Sequence, residues 1–167
     1  DLIQQLDNLI GRDFDRSERW SLLFRATRDG FKPATFHQLC DKKGPTVTVA
    51  RVKNGPLVGG YTKVSWSSSG GYKSDITAFI FNNLHNEQIT KFAVKADRAN
   101  EAVYHGSCGI IFGRGDLHLL GYNALHLLGI SLATNYSEGY SYEFSRYELT
   151  GAGQNKFSVE EIEVFAV

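Results

Sequence analysis

The chain has 167 residues, 42% of them hydrophobic and 22% charged, which suits one globular domain able to bury a real core. Lys+Arg and Asp+Glu each number 18, so the formal net charge is zero and no strong field draws in nucleic acid or an anionic membrane. No apolar run reaches the length of a bilayer span, which argues against insertion into a membrane.

In chain order, Leu2, Ile3, Leu6, Leu9 and Ile10 recur at helical spacing, and Gly11 ends the pattern. Residues 1–19 therefore read as a helical extension packed on a single domain that spans 1–167. Trp20 to Arg25 reads as a strand and Arg28-Asp29-Gly30 as a turn. Pro33 suits the first turn of a helix that carries Phe36, Leu39 and Cys40 on one face, and Gly44-Pro45 stops it. Thr46 to Arg51 is β-branched and alternating, and Asn54-Gly55-Pro56 turns it back into Leu57 to Lys63, a hairpin pattern. Ser65 to Gly71 reads as a long exposed loop carrying Trp66, with Tyr72 after it. Ile76 to Phe81 and Gln88 to Val94 read as strands. Gly109 to Phe112 and Leu117 to Leu120 flank a tight Gly113-Arg114-Gly115-Asp116 turn. Asn123 to Leu132 fits strand or helix. Tyr140 to Tyr147 alternates like a strand, and Val159 to Val167 closes the chain as another, after a glycine-rich loop at Gly151 and Gly153. Many short strands with glycine turns predict a sandwich or barrel, with the two helices covering it.

The residue types for catalysis do not converge in the sequence. There is no Cys-x-x-Cys, no His-Glu-x-x-His and no nucleophile elbow, so neither a metal site nor a catalytic residue is assigned, and no cofactor is expected. Cys40 and Cys108 read as reduced, buried thiols, although one disulfide fits the count. His105 and Cys108 form a local pair whose spacing favours a structural role over a thiolate. His118 and His126 read as polar tips of partly buried residues. Glu161 and Glu163 share one strand face, which reads as a solvated or ion-paired face ahead of an acid/base pair. Arg114-Gly115-Asp116 reads as a turn with a solvated Arg and Asp.

Three stretches together resemble the TLDc domain family. The first is Trp20-Ser21-Leu22-Leu23-Phe24-Arg25 with Thr27-Arg28-Asp29-Gly30 and Phe36. The second is Cys40 with Gly44-Pro45-Thr46-Val47-Thr48-Val49 and Val58-Gly59-Gly60-Tyr61. The third is Phe112-Gly113-Arg114-Gly115 with Ile162-Glu163-Val164-Phe165. Tyr72-Lys73-Ser74-Asp75 stands where many members carry Gly-Asp-Ser. The resemblance implies a mostly β (α+β) fold, a two-sheet antiparallel β-sandwich flanked by a few short helices. It also implies a link to oxidative-stress resistance and, in several members, binding to the vacuolar proton pump. It implies no catalysis.

The loops add a different expectation. Trp66, Ser68 and Tyr72 lie in one Ser/Gly-rich stretch, and Asn135, Tyr136, Tyr140 and Tyr142 lie in another. Tyr and Trp present a flat apolar face and a polar tip, which beside hydroxyls and carboxylates suits a sugar. With Arg114 and Asp116 these residues form the expected ligand-binding set. The reading placed first is a non-enzymatic, lectin-like carbohydrate-binding protein on a TLDc-like scaffold. The alternative is an intracellular adaptor that docks on the proton pump or another protein complex. The chain starts at Asp1 and holds no Met, which places a mature secreted chain slightly ahead of a cytoplasmic one; Asn135-Tyr136-Ser137 is a glycosylation sequon in that setting. Zero net charge and weak single-site sugar binding both point to a homo-oligomer.

Overall fold

The computed structural model describes residues 1–11, 20–85, 87–120, 130–133, 139–144, 148–151 and 156–167, and for 130–133 the backbone alone. In chain order the elements are α1 (Leu2–Ile10), β1 (Ser21–Arg25), α2 (Ala26–Asp29), α3 (Pro33–Cys40), β2 (Thr46–Val52), β3 (Leu57–Thr62), β4 (Tyr72–Lys73), β5 (Phe79–His85) and β6 (Gln88–Ala93). A 3-10 helix (Ala96–Glu101), β7 (Val103–Tyr104), β8 (Ile110–Phe112), β9 (Leu117–Leu119), β10 (Ile130–Ala133) and β11 (Lys156–Ala166) follow. Among the described residues no helix is long and apolar enough to cross a membrane.

All strand pairs are antiparallel, and they build the two sheets of a β-sandwich. One sheet runs β1-β11-β2-β3-β5-β6 and the other β4-β7-β8-β9-β10. The long β11 belongs to both. Its first residues, Lys156 to Ser158, pair with β10, and Val159 to Ala166 pair with β2. A register shift between Val159 and Glu161 marks the place where the strand passes from one sheet to the other.

The alternation of β11 places its side chains as the sequence pattern requires. Ile162 and Val164 point into the core with Ala50, Val58, Ile80 and Phe24 of the same sheet. Phe112, Leu117 and Leu119 meet them from the facing sheet. The approach is close at Gly60, where a Cβ atom would lie 2.5 Å from Phe112 Cζ. A side chain there requires Phe112 or the backbone of β3 to shift.

α1 lies on the other face of the first sheet. Asp1 caps it through Ile3 N at 2.8 Å, and Gly11 ends it in the left-handed region at φ 81°. Leu6 is fully buried against Val47, Tyr61, Phe79 and Phe81, with Leu2, Leu9 and Ile10 beside it. Asp7 accepts a hydrogen bond from Trp20 Nε1 at 2.9 Å, which ties the helix to the approach of β1.

Several local expectations change. Arg28-Asp29-Gly30 is the end of the one-turn α2, with Gly30 at φ 98°. Its start is capped from a distance: Glu161 accepts from Thr27 N at 3.1 Å. The strand expected from Ile76 begins at Phe79, because Asp75 holds Thr77 N at 3.0 Å and Thr77 Oγ1 at 2.6 Å in a turn. The Tyr140–Tyr147 strand does not form in its described part. Only Tyr142 bridges, to Val94, since Asp116 takes the amides of Ser141 and Tyr142 that a ladder would need. Residues 145–147 lie outside the described residues. Of the ambiguous 123–132 segment, residues 130–132 fall in strand β10 and 123–129 lie outside the described residues, as does Gly153 of the last loop.

Candidate functional site

The expected ligand-binding residues do not all meet at one place. Trp66 and Tyr142 belong to the core, which corrects their placement in a binding surface. Trp66 is fully buried, edge-on to Phe36 at 5.5 Å and to Phe112 at 5.8 Å, and its Nε1 donates to Thr46 Oγ1 at 2.9 Å. A buried indole needs such a partner. Tyr142 is also fully buried, and its hydroxyl donates to the Ala102 carbonyl at 2.6 Å. Burial raises that phenol well above its usual range, so it remains a donor. The Ser65–Gly71 loop is thus exposed at Ser68 and Ser69 and anchored by its tryptophan.

Asp116 is buried, not solvated as the turn pattern implies. Its Oδ2 accepts from Ser141 N at 2.9 Å and Tyr142 N at 3.1 Å, and burial pushes the carboxyl upward despite these amides. It positions the segment that carries Tyr140. Asn135 and Tyr136 lie outside the described residues.

Ser68 lines a cleft at the end of α3, about 420 Å³ in volume, with Ala34, His37, Gln38, Asp41 and Ser107. Its Oγ donates to Asp41 Oδ2 at 2.8 Å, and Asp41 Oδ1 lies 2.8 Å from His37 Nδ1. His37 Nε2 lies 2.9 Å from the Gly106 carbonyl. Both imidazole nitrogens therefore face acceptors, and neither is left for proton transfer to a substrate.

The remaining three residues converge. Tyr72 on β4 pairs with Tyr104 on β7, and the rings meet edge-on at 5.0 Å. Arg114, on the turn between β8 and β9, lies over Tyr72 at 5.8 Å and over Tyr140 at 5.2 Å. Arg98, on the 3-10 helix, lies over Tyr140 at 4.5 Å. Glu101 sits between the cations, 3.1 Å from Arg114 Nη2 and 3.7 Å from Arg98 Nη1. Tyr72 is 41% exposed and the Arg114 side chain 45%, so the cluster faces solvent. Charge interaction with Glu101 holds the Arg114 guanidinium protonated, and partial burial raises the Tyr72 phenol. The patch combines flat aromatic faces, guanidinium edges and hydroxyls.

Tyr104, Arg98 and Glu101 were not singled out from the sequence. Arg98 and Glu101 stand three residues apart, an ion-pair spacing on a helix. Nothing local connects that pair to Tyr72, which lies on strand β4.

Of the candidate catalytic residues, His105, His118 and Glu163 have structural partners. His105 Nδ1 faces Ser67 Oγ at 2.8 Å, and its buried Nε2 has no partner among the described residues. A bare nitrogen is cheaper to bury than an unpaired N–H, which assigns the proton to Nδ1 and makes Ser67 the acceptor. Cys40 and Cys108 are free thiols. Burial pushes Cys40 up to about 12, while Cys108 is only half-buried. His118 is buried and bonded to the Cys108 carbonyl at 2.8 Å; His126 lies outside the described residues. Glu163 pairs with Arg25 at 3.2 Å across the β1–β11 ladder.

The family model of the TLDc domain matches residues 1–167, the whole chain. Among curated proteins none matches the chain. The chain belongs to the TLDc domain family.

Proposed function

We propose that this TLDc-domain chain is a non-enzymatic binding module that docks a protein partner through Tyr72, Tyr104, Tyr140, Arg98 and Arg114. One observation carries the reading: the Arg114 guanidinium lies over the rings of both Tyr72 and Tyr140 while nearly half of its side chain stays exposed. Tyr and Arg are the residue types that dominate interface hot spots, and stacking holds their rotamers before a partner arrives. The family resemblance makes the vacuolar proton pump the first partner to test. In a pull-down, the chain retains pump subunits or another defined complex, and Tyr72→Ala with Arg114→Ala removes most of that retention. Equal retention by this double variant would overturn the patch as the docking surface.

A lectin-like role is the second reading, favoured by the cleft beside Ser68. Hydroxyls of Ser68 and Ser107, the Gln38 amide and the Asp41 carboxylate line it. Such groups match the hydroxyls of a sugar. A glycan array gives the test. Binding that a simple sugar inhibits and Gln38→Ala abolishes supports this reading, and no binding to any glycan removes it.

A further inference from the structure

We infer that the partner segment taken by the Tyr–Arg patch is acidic, with its carboxylates on the outer edges of Arg98 and Arg114 and its apolar side chains on Tyr72 and Tyr104. This rests on the docking reading above. Arg98 Cζ lies 4.5 Å and Arg114 Cζ 5.2 Å from the centre of the Tyr140 ring, and Arg114 Cζ lies 5.8 Å from that of Tyr72, so both cations rest against aromatic rings. Their inward edges meet one carboxylate, Glu101, whose side chain is only 12% exposed. Arg114 Nη1 also donates to the Tyr140 hydroxyl at a long 3.4 Å. Each guanidinium has more N–H groups than these contacts use. The donors left over belong to side chains 37% and 45% exposed, within reach of a partner.

One carboxylate between two arginines leaves a local positive charge on a chain whose net charge is zero. Fixed forks of this kind match a carboxylate in bidentate geometry and lose little entropy on binding it. The Tyr72–Tyr104 pair beside them adds exposed aromatic surface. An acidic segment with interspersed apolar side chains matches both parts. A neutral sugar's hydroxyls accept from the forks but bring no charge to match them.

The test uses the whole chain and a short synthetic peptide that alternates Glu with Leu. A second peptide carries Gln in place of Glu, and an oligosaccharide rich in uronic acid supplies carboxylates without a peptide. Side-chain N–H signals of arginine and fluorescence anisotropy report binding. The Glu peptide shifts the Arg98 and Arg114 signals, and its affinity falls as salt approaches 1 M, where the screening length is about 3 Å. The Gln peptide binds at least about tenfold more weakly.

Arg98→Gln with Arg114→Gln lowers Glu-peptide affinity about thirtyfold. That variant leaves Glu101 unpaired, so a triple variant with Glu101→Gln keeps the fold neutral at this site and shows the same loss. Equal binding of the Glu and Gln peptides overturns the inference, as does stronger binding of the acidic oligosaccharide than of the Glu peptide. Partner retention that Tyr72→Ala abolishes and the triple variant leaves intact also overturns it, and in that case docking on the tyrosines alone stands.

Discussion

His105 lies buried against the Trp66 ring at 5.3 Å, and burial pushes its pKa from 6.5 down to about 4. The unfolded ring takes up a proton near pH 6.5 and the folded ring only near 4, so between these values the unfolded state binds more protons. Stability present above about pH 6.5 is therefore lost as pH falls towards 4, by up to about 3 kcal/mol from this one group. Urea unfolding across that range measures it. His105→Asn keeps a donor for Ser67 and flattens the pH dependence; an unchanged slope would show that the acid sensitivity lies elsewhere. The same burial places Trp66 and Tyr142 in the core. Serine and glycine neighbours made both look like loop aromatics. Local polarity reports what flanks a residue, and an aromatic ring can turn inward from a polar loop whenever its N–H or O–H finds a buried acceptor.

At the scale of elements, α1 was legible from its spacing alone. An apolar stripe at helical intervals needs a partner, and the outer face of the first sheet supplies Val47, Tyr61, Phe79 and Phe81. Leu6→Ala removes the fully buried centre of that contact and costs about 2–5 kcal/mol in urea unfolding. The loss appears with no change in binding at the Tyr–Arg patch, which lies on other elements. A cost within about 0.5 kcal/mol would mean that the helix contributes no stability. The Tyr140–Tyr147 pattern failed for a different reason. Alternation predicts which side chains share a face, but a strand also needs free amides. Asp116, whose position in a distant turn is invisible to periodicity, takes two of them.

At the scale of the molecule, two sheets meet through a core that tolerates no side chain at Gly60. Gly60→Ala forces Phe112 or the backbone of β3 to move and costs about 1–3 kcal/mol by overpacking. Thermal unfolding reads the cost, and a melting temperature equal to that of the parent chain would refute the close approach. Most strands and both longer helices, together with the ordered motifs from Trp20 to Phe165, were readable along the chain. Periodicity and turn residues are local, and the family match over 1–167 bears out the resemblance. The sharing of β11 between sheets was not readable, because a long alternating run looks the same whether it pairs in one sheet or two. The candidate site divides in the same way. Tyr72, Arg114 and Tyr140 could be chosen one by one from residue chemistry and loop context. Their meeting, with Tyr104, Arg98 and Glu101 added and Trp66 and Tyr142 withdrawn into the core, depends on pairings between segments far apart in the chain. Residue type decides what a side chain can do, and the packing of the two sheets decides which side chains reach solvent together.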